Sequence, residues 1–215
     1  MRIFLDTANI DDIRRGAALG VVDGVTTNPT LVAREGVDYK TRVLEICDVV
    51  DGPISAECIS MELEQLVAEA RRVAAWHPNV VVKIPMSEVG LQATKRLSAE
   101  GIKINTTLVF SANQALLAAK AGTTFVSPFV GRLNDAGHDG TEVIREIVAT
   151  YDAFNLPAQV LAASIRNPRD VTEAALAGAH IATIPAAVLF QMIQHPLTDR
   201  GIEIFLKDAQ KYAPV

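Results

Sequence analysis

The sequence predicts an α/β protein, a single (β/α)8 TIM barrel over residues 1–215 with an additional C-terminal helix. Three observations carry that expectation. Eight short apolar runs alternate with helical segments. The length of 215 residues matches the ~200–250 of one α/β barrel. No Gly/Ser linker divides the chain, and no G-x-G-x-x-G or Walker A motif supports the runner-up, a doubly wound open sheet.

The elements follow in order. Strand one, Ile3–Asp6, ends in a carboxylate, and strand two, Gly24–Thr27, runs into Asn28-Pro29. Strand three is Ile54–Glu57. Ser60 is then expected to cap a helix over Met61–Trp76, whose Leu63, Leu66, Val67, Ala70, Val73 and Ala74 form one stripe. Strand four, Val80–Ile84, opens with three valines and lies between Asn79 and Pro85, so it reads as buried on both faces. Strand five is Ile102–Thr106. Ser111 with Gln114 reads as a capping box, and Gly122 ends that helix. Strands six and seven are Phe125–Ser127 and Gln159–Ala162. Asn167-Pro168 starts a helix that stops near Gly178, ahead of strand eight, His180–Ile184. The segment Leu197–Tyr212 places Ile202, Phe205, Leu206 and Ala209 at helical spacing with no strand left to cover. An intersubunit contact is expected of it, and packing back across its own barrel is the alternative.

Composition narrows the function classes. Hydrophobic content of 49% and charged content of 21% exclude global disorder. A net charge of −5 argues against a nucleic-acid or anionic-membrane partner. Cys47 and Cys58 suggest reduced thiols, and neither has metal-ligand spacing. The N-terminus carries Arg2 and Asp6 and lacks a signal-like core, and no run reaches the ~18–20 apolar residues of a membrane helix. A soluble cytoplasmic protein is expected.

Active sites of such barrels lie at the C-terminal strand ends. Lys83 stands there inside the Val-rich fourth strand, where lost solvation disfavours its ammonium form. A partly neutral amine in a dry pocket is a nucleophile toward carbonyls. Its stem packing with the head in water is the bland reading, and the valine run argues against it. Asp6 and Glu57 are the carboxylates available for proton transfer, and Thr107 can hold a water between carboxylate and amine. Asn28 and Asn105 suit hydroxyl groups. Arg132, Ser164 and Arg166 suit a phosphate, which arginine forks match bidentately. Lys103, at the start of strand five, is expected near the opposite end. His77, His138, His180 and His195 lack a Ser or Cys partner and read as structural.

The segments Phe4-Leu5-Asp6-Thr7-Ala8, Asp23 to Leu31 with its Thr26-Thr27-Asn28-Pro29, Val82-Lys83-Ile84-Pro85, Asn105 to Ser111, and Ser127 to Arg132 resemble the transaldolase family. The length is similar to its short-chain branch, which includes fructose-6-phosphate aldolase. The resemblance implies a metal-free, cofactor-free Schiff-base mechanism of the pentose phosphate pathway. Lys83 would carry a dihydroxyacetone unit from sedoheptulose 7-phosphate or fructose 6-phosphate to glyceraldehyde 3-phosphate or erythrose 4-phosphate. It implies Asp6, Glu57 and Thr107 as catalytic partners, and Thr27, Asn28, Asn105, Phe129, Arg132, Ser164 and Arg166 as substrate contacts. Members similar to the aldolase branch carry Gln and Tyr where this chain has Glu57 and Phe129, so transfer is expected over release of free dihydroxyacetone. The short branch also resembles proteins that assemble as decamers of two pentamers, with the C-terminal helix reaching a neighbour. A phosphosugar isomerase without a covalent lysine and a non-catalytic sugar-phosphate binder are the competing classes.

Overall fold

A computed structural model describes residues 1–212. Eight parallel strands pair in sequence order and close into a barrel, with β8 (Ile181–Ile184) beside β1 (Arg2–Asp6). The others are β2 (Gly24–Thr26), β3 (Ile54–Glu57), β4 (Val80–Pro85), β5 (Ile104–Val109), β6 (Phe125–Pro128) and β7 (Gln159–Ala162). Helices cover the outside of the barrel, and the C-terminal helix α11 (Pro196–Ala209) extends the chain beyond it.

Alternation along each strand divides the side chains. Outward residues such as Val25, Ile54, Val80, Val82, Ile84, Val126 and Val160 pack under the helices in the main core. Inward residues form a separate floor of Phe4, Val81, Phe125, Leu161 and Ile181. Phe4 and Phe125 meet edge to face, centroids 6.2 Å apart, and the Arg2 guanidinium lies 5.6 Å from each ring while bonding Gln159. Gly24 is required here. A Cβ would lie 2.6 Å from the Pro53 carbonyl oxygen and 2.8 Å from the Phe4 ring.

Two local expectations are corrected. Ser60 does not cap the following helix, α4 (Leu63–Ala74), whose N-cap position is Glu62 without a side-chain cap bond. The Ile59 and Ser60 N–H groups instead donate to the Glu69 carboxylate at 3.3 and 3.0 Å, which ties the loop back to that helix. Strand five begins two residues late. Gly101, at φ +79°, ends the preceding helix, and Ile102 closes it with a bond to the Leu97 carbonyl. The strand then runs on to Val109 past a bulge between Thr106 and Val109, where Leu108 takes φ +57°. At α6 (Ala112–Ala121) Ser111 caps Gln114 N–H as expected, but the Gln114 side chain reaches the Phe110 N–H instead of that of Ser111.

Helix α11 has no buried residue, with Leu197 70% and Phe205 75% exposed, so it does not fold back over its own barrel. Residues 213–215 of the expected C-terminal segment lie outside the described residues. Cys47 and Cys58 are free and buried. Among the described residues no helix is long and apolar enough to cross a membrane.

Candidate active site

Above the floor, the same inward positions turn polar. Lys83 aligns with Glu57 on one side and Asn105 on the other, and Asp6 aligns with Thr26 across the β1–β2 seam. Strand register therefore sets three functional side chains side by side. Lys83 is 6% exposed, and its Nζ lies 3.1 Å from Glu57 Oε2 and 3.1 Å from the Thr27 carbonyl. Glu57, expected as a carboxylate for proton transfer, is thus also the ion-pair partner of Lys83. Lys103 is exposed just before β5, at the opposite rim.

Two cavities share this rim. The inner one, about 110 Å³, is lined by Asp6, Thr26, Lys83, Asn105, Ser127 and Thr183, with Ser164 and Arg132 at one side. The outer one, about 420 Å³, includes Glu57, Arg34 and Leu108. Asn28, Lys83, Thr107, Phe129 and Arg132 border both. Asp6 keeps some surface open to the cavity but is walled in by the barrel. Burial pushes its carboxyl above the usual carboxylate range, and the Lys83 charge and the Thr26 hydrogen bond (2.8 Å) counter this only in part. A carboxyl raised in this way holds a proton more readily than an exposed carboxylate, as an acid/base group facing a substrate hydroxyl requires.

Hydrogen bonds define what each polar residue still offers. Asn105 is fully buried, donating to Ser55 Oγ at 3.1 Å and accepting from Ser127 Oγ at 2.7 Å. Asn28 caps α2 (Pro29–Glu35): its Oδ1 accepts the Leu31 N–H at 2.9 Å. The amide NH2 and the second lone pair of Oδ1 remain available to the cavity that Asn28 lines. Thr107 Oγ1 is buried with no hydrogen-bond partner among the described residues, a place suited to a water or substrate hydroxyl. Phe129 carries the Arg132 guanidinium 4.9 Å above its ring and leans on Phe110 at 5.8 Å. Ser164 sits at φ +60°, a left-handed conformation rare for serine, and its carbonyl accepts the Gly131 N–H.

Two expected contacts fall elsewhere. Thr27 faces outward because it follows the inward Thr26; its hydroxyl bonds the Ser55 carbonyl, and only its own carbonyl reaches Lys83. Arg166 lines neither cavity; it crosses Gly131 and donates to Asp135 at 2.7 Å. Sequence reading missed Ser55 and Arg34, and set Ser127 and Thr183 at strand ends without a role. Counting in twos from Glu57 and Phe125 would have turned the two serines inward. Three histidines act as backbone acceptors: His77 for Asn79, His180 for Val160 and His195 for Leu197. Among the described residues no group of His, Cys, Asp and Glu is placed to hold a metal.

The raised Asp6 carboxyl has a stability consequence. As pH rises above the ordinary 3.8, the unfolded chain releases this proton before the folded one does, so folding stability falls across that window. Asp6→Asn is therefore expected to unfold at a higher temperature than the wild type at neutral pH, and at a similar one near about pH 3. Turnover should be lost. Thermal unfolding at the two pH values checks this, and a variant less stable at neutral pH contradicts it.

A transaldolase/fructose-6-phosphate aldolase family model matches residues 3–213. The chain is 62% identical over 208 residues to a probable transaldolase of Desulforudis audaxviator, covering 97% of each chain. It is 56% identical over 211 residues to one from Clostridium botulinum, covering 98% of this chain and 97% of that one. Among solved structures, a thiamine phosphate pyrophosphorylase from Pyrococcus furiosus superposes with TM-score 0.58 at 20% identity, over 85% of each chain. The (S)-mandelate dehydrogenase of Pseudomonas putida gives 0.62 at 12%, covering 87% of this chain and 67% of that one. These two likenesses show the barrel alone. Sequence similarity over nearly the full length, with Lys83, Glu57 and Asp6 gathered on one rim, places the chain in the transaldolase/fructose-6-phosphate aldolase family.

Proposed function

We propose that the protein is a transaldolase, moving a dihydroxyacetone unit from a ketose phosphate to an aldose phosphate through a Schiff base on Lys83. The observation that carries this reading is one cavity rim holding the buried Lys83, its partner Glu57 at 3.1 Å, and the raised carboxyl of Asp6. Lys83 Nζ, after giving a proton to Glu57, adds to the C2 ketone. The carbinolamine loses its hydroxyl as water to give an iminium. Glu57 and Thr107 are the groups available to hold that water. Asp6 takes the C4 hydroxyl proton, the C3–C4 bond breaks, and its electron pair flows into the iminium to leave an enamine. The aldehyde departs. An acceptor aldehyde is attacked by C3 of the enamine, Asp6 returns the proton to the new alkoxide, and water releases the product and Lys83. Arg132, with Ser164 beside it, supports a phosphate at the cavity side. Arg166 would have to leave Asp135 to join them.

Transfer is favoured over release of free dihydroxyacetone by Phe129. It borders both cavities and has no hydroxyl to protonate the bound enamine. We also propose a homo-oligomer, a pentamer or decamer, in which α11 contacts a neighbour; its uncovered Leu197, Ile202, Phe205 and Leu206 support this.

Three outcomes test these readings. Borohydride with fructose 6-phosphate should label the peptide holding Lys83, and Lys83→Met should fold without turnover; labelling at Lys103 would sink the assignment. Phe129→Tyr should raise free dihydroxyacetone formation without acceptor by at least about tenfold, read by coupled detection. Rapid release by the wild type, matching its transfer rate, would favour the aldolase. Truncation before Leu197 should give smaller species in sedimentation, and an unchanged oligomer would refute the helix contact.

A further inference from the structure

At Glu57 the barrel departs from a regular parallel ladder. Strands β2 and β3 pair as Val25↔Ile54 and Thr26↔Ser55, with Val25 N–H on the Pro53 carbonyl at 3.0 Å and Thr27 N–H on the Ser55 carbonyl at 3.1 Å. Continued by two residues, that pattern assigns the Glu57 N–H to the Thr27 carbonyl. Yet the Thr27 carbonyl accepts from Lys83 Nζ at 3.1 Å. Strand β2 gives nothing further, since Asn28 turns the chain into α2, which starts at Pro29. The Glu57 N–H donates to the phenolic oxygen of Tyr39, the first residue of α3 (Tyr39–Val49).

Tyr39 is held for this task. Its ring meets Trp76 edge-on, centroids 5.7 Å apart at 89°, and its oxygen lies 3.4 Å from Thr27 Oγ1. Burial pushes the phenol up to about 12, so the group stays protonated and is a neutral acceptor for the amide.

We propose that Tyr39 is a positioning residue for the Lys83–Glu57 pair: its oxygen replaces the Thr27 carbonyl as acceptor for the Glu57 N–H, leaving that carbonyl to hold the Lys83 ammonium. Without the phenolic oxygen, the Glu57 N–H must share the Thr27 carbonyl with the Lys83 ammonium or go without an acceptor. Either the end of β3 shifts and carries the Glu57 carboxylate with it, or Lys83 loses an anchor. The competing view treats Tyr39 as packing for α3 against Trp76.

The inference rests on the Schiff base proposed above. The test is the rate of borohydride-trapped adduct formation by the full-length protein with fructose 6-phosphate. Tyr39→Phe keeps the ring and its contact with Trp76. It should form adduct about tenfold more slowly, at an unchanged half-saturating substrate concentration and with little change in unfolding midpoint. Trp76→Phe disturbs the ring contact but keeps the phenol, so it should slow trapping far less. Equal rates for Tyr39→Phe and the wild type would overturn the inference. So would equal slowing in both variants in step with lost stability, which is the packing role. If Tyr39→Phe yields no folded protein, 3-fluorotyrosine at position 39 keeps the shape and weakens the acceptor; an unchanged rate there overturns the inference, and a slower one supports it. A wild type that forms no adduct sinks the Schiff-base reading and this inference with it, whereas an adduct in the wild type at an undiminished rate in the variant sinks only the latter.

Discussion

Closure of parallel strands into a ring sends every second side chain into a shaft with no room for bulk water. Everything distinctive about this protein is arranged within that constraint. Along β4 it makes Val81 part of an apolar floor and Lys83, two residues later, part of a polar rim. Along β6 it does the same with Phe125 and Ser127. Across β3, β4 and β5 the polar side chains stand side by side, because these strands are locked in register: Glu57 beside Lys83 beside Asn105. A one-residue slip of β3 would turn Glu57 outward and leave Lys83 buried without its carboxylate, an arrangement that costs far more than the pair yields.

Tension gathers at the same rim. Asp6 is held where its charge is disfavoured, Thr107 Oγ1 has no hydrogen-bond partner among the described residues, and Leu108 and Ser164 take left-handed backbone conformations. Of the left-handed non-glycine residues, only Asn155, at φ +50° ahead of β7, lies at the opposite end among the described residues. That end is closed by two rings meeting edge to face, a guanidinium and backbone-bonded histidines. Stability is concentrated at the floor and the readiness to react at the mouth, the usual division of labour in this architecture.

Most of this was legible in the chain. Short apolar runs marked the strands, and polar residues at their ends marked the rim. The cap at Asn167 and the stop at Gly122 followed from residue type. What could not be read depends on parity and on distant partners. Whether Thr26 or Thr27 faces inward turns on one residue of phase within a three-residue strand. The diversion of Arg166 depends on Asp135, 31 residues away, and the service of Tyr39 to Glu57 depends on a carbonyl already taken by Lys83. The late start of β5 came from a helix ending, where Ile102 looks strand-like but closes the turn after Gly101.

The blocked lower end of the shaft also dictates traffic. Among the described residues, Arg2, Phe4 and Phe125 fill the lower end and leave the doorway at the polar rim. In the proposed reaction, the departing aldehyde and the arriving one must use that doorway in turn, while the three-carbon fragment waits tethered to the wall. The order of events is then imposed by architecture. The first product must clear before the second substrate can enter, which is double-displacement kinetics with parallel reciprocal plots and each substrate, in excess, obstructing the other.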